Sequence, residues 1–337
     1  MNKISKRFSR DRKLMILYAV TLFVALAFAL TMPGAMYSVR NLTSMAYQIP
    51  EFGFIALGMM LSFLIGGIDL SIVAIANTSG IFAALILSGR WLPGLDGTAA
   101  IWVAATVALL SAVAFGLFNG FLVAKLSAPP LIATLGTMTL FTGIGMALTG
   151  GKGVTGLPDA FTNFGIIEVY GVPLIFLMFL ASVLILSFVL NWTAFGRKVY
   201  LYGSNHTAAR FSAINNERLT MGMFMVIGLL AGIAGLIIVS RVNSAKVGYG
   251  DAYLLQAMLV CVVGGIHPDG GRGKVAGAVC AILLMQILSS AFTVWKFSPY
   301  AKKLIWGFML ITVMGLNYVS DMRMQRVKRL KKTTLEG

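Results

Sequence analysis

Residues Ala56 to Leu87 read ALGMMLSFLIGGIDLSIVAIANTSGIFAALIL. Two apolar runs flank the short segment GGIDLS, which carries a carboxylate and a hydroxyl after a pair of glycines. A run of about 20 apolar residues is long enough for an α-helix to cross a hydrocarbon core of roughly 30 Å. The stretch therefore predicts two membrane-spanning helices joined by a short polar segment.

The composition of the whole chain also indicates a membrane protein. Of the 337 residues, 58% are hydrophobic and 11% are charged, whereas an ordinary soluble domain has about 25% charged residues. A soluble globular fold is therefore excluded. The apolar runs are Leu14–Thr31, Leu42–Ile65, Ile68–Ser88, Ala99–Val123, Leu131–Thr149, Val172–Leu190, Leu219–Ser240, Tyr253–Gly264, Val275–Phe292 and Ala301–Val319.

These ten runs predict an all-α fold, a polytopic membrane helical bundle of about ten transmembrane helices. The eighth run, Tyr253–Gly264, is short and flanked by glycine. A broken or short helix is tolerated at membrane depth only where protein or water covers its loose backbone. We therefore expect one or more broken or short helices inside the bundle.

The basic residues lie at the chain ends and in short connections. They form neither a polar surface nor one amphipathic stripe, so nucleic-acid binding is not expected despite a net charge of +16. With ten crossings both chain ends lie on one side of the membrane. The tails and connections on that side contain 19 of the 27 Lys and Arg residues. Because cytoplasmic loops carry the excess of Lys and Arg, we predict cytoplasmic basic tails at 1–13 and 321–337 around a transmembrane domain at 14–320. The first run exceeds the apolar length of about 7–15 residues in a cleaved signal peptide.

Asp69 and Ser71 are the most unusual polar residues at membrane depth. An Asp near the bilayer centre costs about 2.5–3.5 kcal/mol on insertion scales, so such a residue is a candidate for function. One interpretation is direct contact with a solute or a gate. The other is that Asp69 caps the following helix, accepting its free backbone N–H groups after the turn at Gly66 and Gly67. The two roles are compatible.

Gln48, Pro50 and Glu51 interrupt the second apolar run. A proline removes a backbone hydrogen bond and kinks a helix, and polar groups near a kink can line a pathway. Gln48 and Glu51 are therefore candidates for the translocation pathway. Glu51 either faces the pore or lies at the outer interface.

The segment 119–151 predicts a helix end, a short cytoplasmic turn and a helix rich in Gly, Thr and Ala. Small residues in membrane helices favour close packing. Such packing is predicted at Gly136, Gly143 and Gly145. Hydroxyl groups can bond a neighbouring helix or a hydroxylated solute. The pathway candidates of this segment are Asn119, Thr134 and Thr137.

Two further connections are predicted on the cytoplasmic side. Residues 191–219 contain an amphipathic stretch that Ser204 or Asn205 would cap, and such a helix either lies on lipid headgroups or docks into the groove of a partner. The turn HPDGGRGK, 267–274, lacks the GxxxxGK[ST] spacing of a phosphate loop, and its glycines are expected at positive φ. The structural glycines predicted along the chain are Gly66, Gly67, Gly136, Gly264, Gly265, Gly270, Gly271 and Gly273.

Metal, redox and cofactor chemistry have no support in the sequence. Cys261 and Cys280 lie in apolar runs without CxxC spacing. His206 and His267 lack partners at the spacing of zinc ligands. Since the sequence contains no GxxxxGK[ST] loop, ATP hydrolysis that powers this chain is expected on another polypeptide.

Four segments together resemble the permease subunits of bacterial ribose-type sugar importers of the ATP-binding-cassette class. They are ALGMMLSFLIGGIDLS at 56–71, NGFLVAKLSAPPLIATLGT at 119–137, FGRKVYLYGSNHTAARFSAIN at 195–215 and VVGGIHPDGGRGKVAGAV at 262–279. Each segment alone is moderate evidence, but their order and spacing are specific. The match spans most of the chain.

The resemblance implies a permease that moves a small sugar or sugar-like solute from periplasm to cytoplasm through the bacterial inner membrane. The permease itself is then not an enzyme. The implied partners are membrane lipid, a second permease chain, the same or related, a periplasmic solute-binding protein and a cytoplasmic ATP-binding-cassette ATPase. The segment 204–215 would be the coupling helix that fits a groove on the ATPase. Its coupling residues would be Ser204, Asn205, Ala208, Ala209, Arg210, Phe211, Ser212 and Ile214.

Val73 and Ala213 depart from the family, which usually has Gly at both positions. Together with the IPEFG run around Glu51, they indicate a subfamily with a different solute, so ribose itself is not assumed. Nucleosides or branched-chain amino acids are alternative cargoes for the same importer class, although the GGIDLS segment favours sugar. An ion-coupled secondary transporter is an alternative mechanism, because such carriers hold ionisable residues at mid-membrane.

Overall fold

The computed structural model describes residues 3–336, and within that range the chain is mostly helical. The helices are α1 (Lys3–Thr31), α2 (Pro33–Met36), α3 (Val39–Leu64), α4 (Ile72–Leu87), α5 (Gly97–Ala124), α6 (Pro130–Thr149), α7 (Asp159–Phe164), α8 (Leu174–Trp192), α9 (Ala194–Ser204), α10 (His206–Phe211), α11 (Asn216–Val242), α12 (Asp251–Val263), α13 (Val275–Val294) and α14 (Pro299–Glu336).

Two short antiparallel ribbons complete the described range. Strand β1 (Val154–Thr155) pairs with β4 (Ser244–Ala245), and β2 (Glu168–Val169) pairs with β3 (Val172–Pro173). Tyr170 and Gly171 join β2 to β3 with φ of 53° and 78°. Two consecutive residues with positive φ form the tight turn that suits the twist of a hairpin. The prediction of an all-helical chain is therefore correct for the bundle and omits these connections.

Seven helices of the described residues are long and apolar enough to cross a membrane. They are α1, α3, α5, α6, α8, α11 and α13. Helices α4 and α12 are apolar but have only 16 and 13 residues, and α14 contains the tenth predicted run. A short or broken helix was predicted at the eighth run, Tyr253–Gly264, and the short helix α12 lies there. The total of about ten crossings stays a prediction.

Helices α3, α4 and α11 form the centre of the bundle. In α3, 89% of the apolar window is buried, whereas in α1 only 6% is buried. Large apolar side chains on α1, α5 and α8 remain exposed, including Phe23, Trp102 and Phe188. Lipid tails are as apolar as these side chains, so an exposed apolar face suits the outside of a membrane bundle.

Helix α5 packs closely on α11 through a row of small residues. The row is Ala100, Ala104, Ala108, Ala112, Gly116 and Gly120. Residues four apart lie on one face of a helix, and small side chains there let two backbones approach. A Cβ atom added to Gly116 would lie 2.3 Å from the carbonyl oxygen of Phe224 on α11. The two helices are therefore in backbone contact.

Pro50 lies inside α3, which continues from Val39 to Leu64. The helix therefore continues through the position where Gln48, Pro50 and Glu51 interrupt the apolar run, and the kink at Pro50 stays a prediction. Every residue from 49 to 64 is buried. A proline costs a helix about 3 kcal/mol, and packing of this buried segment against neighbouring helices offsets that cost.

Candidate functional site

Asp69, Ser71 and Asn119 form a buried hydrogen-bonded cluster at the turn between α3 and α4. Asp69 Oδ1 accepts from the backbone N–H of Ser71 at 2.9 Å and from Ser71 Oγ at 2.6 Å. Asn119 Nδ2, on α5, donates to Ser71 Oγ at 2.7 Å. All three residues are completely buried. The structure thus brings together candidates from two separate segments of the sequence.

The capping role predicted for Asp69 is wrong in position. Helix α4 begins at Ile72, so its N-cap is Ser71, whose side chain makes no capping bond. In the preceding turn, the N–H of Leu70 donates to Thr134 Oγ1 at 3.1 Å. Asp69 therefore fixes the N-cap residue from two positions earlier, as in an Asx turn.

Thr134 on α6 ties the same turn to a third helix. The single hydrogen of its hydroxyl can be donated to the carbonyl oxygen of Ile68 at 2.9 Å or to that of Pro130 at 2.8 Å. Thr137 lies one turn further along α6, and its Oγ1 donates to the carbonyl oxygen of Thr134 at 3.3 Å. Both threonines are buried. In this conformation the two hydroxyls bond backbone, and neither is open to a solute.

Two acceptors of the buried cluster remain unused. Asp69 Oδ2 and Asn119 Oδ1 are buried and have no hydrogen-bond partner among the described residues. A buried acceptor left unsatisfied costs about 1–3 kcal/mol. Because Asp69 and Asn119 both bond Ser71, the two unused acceptors belong to one cluster. A conformation that admits water or a hydroxylated solute would satisfy them.

Glu51 belongs to a second polar group, which lies nearer the start of α3 than the turn of Asp69 does. Its carboxylate forms an ion pair with Arg241 on α11, and its Oε2 accepts from Tyr253 Oη on α12 at 2.6 Å. Arg241 Nη1 also donates to the backbone carbonyl of Tyr47 at 3.1 Å. Because a buried charge is tolerated when it is paired and hydrogen-bonded, this group explains how Glu51 can lie inside the bundle.

Gln48 lies on the same face of α3 as Glu51. Gln286 Nε2, on α13, donates to Gln48 Oε1 at 3.2 Å, and Gln48 Nε2 donates to Ser44 Oγ at 2.9 Å. Glu51 lies thirteen positions before Leu64 on the helix, or about 20 Å at 1.5 Å per residue. The predicted pathway residues therefore form two groups, one along α3 and one at the turn.

Sequence reasoning missed most partners of the group along α3. Arg241, Tyr253 and Gln286 come from three distant helices, and their roles depend on the fold. A local signal was nevertheless present, because Asn41 is followed by polar residues at 44, 48 and 51. Spacings of three and four place these residues on one helix face. A polar face inside an apolar run indicates a buried polar contact.

The predicted coupling segment, 204–215, contains one short helix, α10, which follows the end of α9. Ser204 ends α9, and Asn205 is the N-cap of α10, with its Oδ1 accepting from the N–H of Ala208 at 2.9 Å. The cap predicted at Ser204 or Asn205 is therefore Asn205. Helix α10 covers only His206–Phe211, so Ser212 and Ile214 lie beyond it. The longer helix expected over 204–215 is wrong, because the chain turns at Ala213.

Ala213 has a φ of 56°, in the left-handed region. Its N–H donates to the carbonyl oxygen of Arg210, and the N–H of Ile214 donates to that of Ala209. These bonds form a Schellman motif, in which the residue after the helix usually is glycine. The departure from the family at this position therefore places a strained residue two positions after the last residue of α10.

The side chains of α10 divide between the bundle and the exterior. Ala209 is completely buried, Ala208 is half-buried and Arg210 is exposed. Phe211 is 88% exposed. A single exposed hydrophobic residue is common on protein surfaces, so this exposure leaves the ring accessible to a partner without requiring one. The geometry is compatible with the docking alternative, and the coupling role stays a prediction.

The predicted structural glycines differ in what they do. Gly66, Gly265, Gly270, Gly271 and Gly273 have positive φ, as expected for tight turns. Gly67 and Gly264 do not, but they pack closely against Pro130 and Gly277, respectively. The packing predicted at Gly136 and Gly143 is wrong within one chain, because no atom of the described residues lies within 4 Å of an added Cβ. Both face outward from the bundle, whereas Gly145 is packed as predicted.

Comparison with known proteins identifies the family. The sequence matches the family described as "Branched-chain amino acid transport system / permease component" over residues 41–314. The chain belongs to this permease family. The resemblance inferred from the four sequence segments is therefore confirmed at the level of the family.

The permease is similar to import proteins along most of its length. It is 32% identical to the ribose import permease protein of Bacillus subtilis (strain 168), over 82% of this chain and 84% of that protein. It is 29% identical to the L-arabinose transport system permease protein of Escherichia coli (strain K12), over 86% and 84%. It is also 29% identical to the autoinducer 2 import system permease protein of Escherichia coli (strain SMS-3-5 / SECEC), over 88% and 85%. No solved structure matches the permease.

Proposed function

We propose that this chain is the transmembrane permease subunit of an importer of the ATP-binding-cassette class, carrying a small sugar or sugar-like solute from the periplasm to the cytoplasm. The single observation that carries the proposal is the similarity along more than four-fifths of the chain to permeases named for ribose and L-arabinose. The cluster at Asp69 supports a hydroxylated solute, because it has unused acceptors for hydroxyl donors.

The motor of such an importer is a separate ATPase that contacts the cytoplasmic face. Helix α10 is the proposed docking element, and the segment 204–215 around it is the proposed coupling region. Phe211 supports this role because it is exposed while its neighbour Ala209 is buried against the bundle. Aromatic residues, Phe among them, are enriched in the cores of protein–protein interfaces.

The pathway is proposed to be closed in the present conformation. Asp69, Ser71 and Asn119 are completely buried, so a solute reaches them only after α3, α4 or α5 moves. Transport then requires exchange between outward-open and inward-open states, each favoured by a different partner or nucleotide. The remaining partners are a second permease chain, the same or related, and a periplasmic solute-binding protein that selects the cargo. The proposed location is the inner membrane, with both termini in the cytoplasm.

Two experiments test the proposal. The cognate binding protein is screened against pentoses, hexoses, polyols and nucleosides by thermal shift, because a ligand of the native state raises the melting temperature. The permease and its ATPase are then reconstituted in vesicles, and uptake of the stabilising compound is measured. We expect uptake that needs both ATP on the ATPase side and the binding protein. Uptake that persists without the ATPase and collapses with the proton gradient would show a secondary transporter instead.

Branched-chain amino acids are the second candidate cargo. The description of the family names them, whereas the individual relatives are named for ribose, L-arabinose and autoinducer 2. Leucine, isoleucine and valine are therefore included in the thermal-shift screen. Stabilisation by one of these amino acids, and by none of the sugars, would replace the sugar assignment.

A further inference from the structure

Three connections that are distant from one another in the sequence are in contact through their backbone atoms, beside the turn that carries Asp69. The first is the end of α3 with the glycine pair, 64–67, and the second is the junction of α9 and α10 at Gly203 and Ser204. The third is the turn between α12 and α13, 267–273. We call this meeting point the glycine junction.

A hydrogen bond joins two of these connections, and Gly203 lies against it. The N–H of Gly271 donates to the carbonyl oxygen of Leu64 at 2.9 Å. A Cβ added to Gly203 would lie 1.9 Å from that oxygen and 2.5 Å from the nitrogen. Real Cβ atoms do not approach backbone this closely, so α9 touches both partners through its main chain. Gly203 is buried.

The turn between α12 and α13 makes two further contacts of the same kind. A Cβ on Gly270 would lie 2.6 Å from the carbonyl oxygen of Gly203 and 2.8 Å from the nitrogen of Gly66. A Cβ on Gly271 would lie 2.4 Å from Ser204 Oγ and 2.5 Å from its nitrogen. Both glycines also have positive φ, 89° and 66°. The turn between α12 and α13 is therefore packed directly between the α3–α4 connection and the α9–α10 connection.

The position of the junction connects the proposed docking helix to the buried polar cluster. Ser204 ends α9 and is followed by Asn205, the N-cap of α10. On the other side, Leu64 ends α3 five residues before Asp69. Backbone atoms in direct contact have no side-chain rotamer that can absorb a displacement, and packed interiors transmit strain for the same reason. These contacts provide a continuous backbone route from α10 to the turn that carries Asp69.

We infer that the glycine junction transmits the movement of α10 to the α3–α4 turn, with Gly203 as its positioning residue. The inference rests on the proposed function, since the movement is supplied by the ATPase docked at α10. A side chain at Gly203 would push α9 away from Leu64 and Gly271. The docking helix could still move with the motor, but the turn of Asp69 would no longer follow it.

Gly203→Ala is the decisive variant. Gly203 lies in α9 and has no positive φ, so the alanine is compatible with the helical backbone and changes the contact alone. Gly136→Ala is the matched control, because Gly136 lies in α6 and its added Cβ meets no atom of the described residues within 4 Å. Both variants are purified as full-length permease with the ATPase and placed in lipid nanodiscs.

Two fluorescent labels separate transmission from docking. In a background with Cys261 and Cys280 replaced by alanine, one label is placed on Ser212→Cys after α10 and another, in a separate sample, on Leu70→Cys in the turn. We expect ATP and vanadate to change both signals in the otherwise unmodified complex and in Gly136→Ala. In Gly203→Ala the Ser212 signal persists, whereas the Leu70 response and binding-protein-stimulated ATP hydrolysis fall at least about tenfold.

Each other result has a defined meaning. A Leu70 response that survives in Gly203→Ala overturns the inference. A Ser212 label that fails to respond in the unmodified complex contradicts ATPase docking at α10, and the inference falls with it. If Gly203→Ala does not assemble, hydrogen exchange of the unmodified complex tests the inference instead. Residues 62–71, 200–206 and 264–274 must then change protection together on adding ATP and vanadate, and a change confined to 200–206 overturns the inference.

Discussion

At the scale of single residues, the carboxylate of Asp69 holds the turn between α3 and α4. It accepts two hydrogen bonds from Ser71 in the protein interior. Removing one partner of a buried hydrogen bond leaves the other unsatisfied and costs more than the bond itself contributes. The residue therefore has a structural role in this conformation, whatever it contacts during transport.

Asp69→Ala is expected to lower the free energy of unfolding by about 1–3 kcal/mol, because the N–H and hydroxyl of Ser71 lose their acceptor. Asp69→Asn keeps an acceptor oxygen and removes a buried charge, so we expect a change within about 1 kcal/mol. The measurement is reversible unfolding of the permease in detergent micelles. Asp96→Ala, which removes an exposed carboxylate without a capping bond, is the control. Equal losses for Asp69→Ala and Asp69→Asn would contradict the acceptor role.

Ala213 also acts at this scale, through its left-handed backbone. A non-glycine residue in this conformation costs about 1–2 kcal/mol. Glycine removes that cost, but its greater conformational entropy in the unfolded chain offsets part of the gain in stability. We expect Ala213→Gly to stabilise α10 by about 0.5–1 kcal/mol, seen as two- to fivefold slower hydrogen exchange at about 206–214. Ser212→Gly, at an ordinary φ of −86°, should accelerate exchange instead. Identical behaviour of the two variants would refute the strain argument.

At the scale of helices, α5 and α11 depend on backbone contact. A Cβ on Gly228 would lie 2.3 Å from the carbonyl oxygen of Ala112. Gly228→Ala is therefore expected to destabilise the permease by about 1–3 kcal/mol through overpacking. Gly222→Ala on the same helix meets no described atom within 4 Å and should be neutral or slightly stabilising, since alanine favours helix. The same unfolding measurement compares them, and equal effects would rule out close packing as the cause.

The docking role of helix α10 can be tested by introducing a charge at its exposed aromatic residue. Because Phe211 is 88% exposed, Phe211→Asp should leave folding and assembly of the membrane part intact. It should abolish ATP hydrolysis stimulated by the solute-loaded binding protein, since a charge cannot enter an apolar groove unpaired. Phe211→Leu keeps an apolar side chain and should retain stimulation. Normal stimulation of Phe211→Asp in reconstituted vesicles would count against docking at α10.

The helices themselves were predictable because lipid requires long apolar runs with internally satisfied backbones. Helix α13 begins at Val275, as the ninth run predicts, and ends two residues after it. The contacts of Gly203 were not predictable, since they depend on two turns from distant parts of the chain. The same holds for the ion pair of Glu51 with Arg241. Local sequence marks a residue as unusual, but only the packed bundle provides its partner.

The row of small residues on α5 is visible in the sequence. Alanine or glycine recurs at every fourth position from 100 to 120, a spacing that marks one helix face. In contrast, Gly136 and Gly143 were predicted to pack and do not within one chain. Isolated glycines in a membrane helix are therefore weaker evidence than a periodic row, because periodicity shows that one whole face is small.

At the scale of the whole molecule, the sidedness of the connections decides whether an ATPase can reach α10. The prediction of ten crossings requires the short helices α4 and α12 to span together with the longer ones. Residues before and after each of them then lie on opposite sides of the membrane. Four exposed positions test this arrangement: Arg90 after α4, Ser212 after α10, Lys246 before α12 and Asp269 after it.

Single cysteines are placed at these four positions in a background with Cys261 and Cys280 replaced, and a membrane-impermeant maleimide is applied. In cells with a permeabilised outer membrane, we expect Arg90→Cys and Lys246→Cys to react. Ser212→Cys and Asp269→Cys should react only in inside-out vesicles, since cytoplasmic connections carry the excess of Lys and Arg. If Lys246→Cys and Asp269→Cys react from the same side, α12 does not cross and the two termini lie on opposite sides. If Ser212→Cys reacts in cells, a cytoplasmic motor cannot touch α10, and the proposed coupling through it fails.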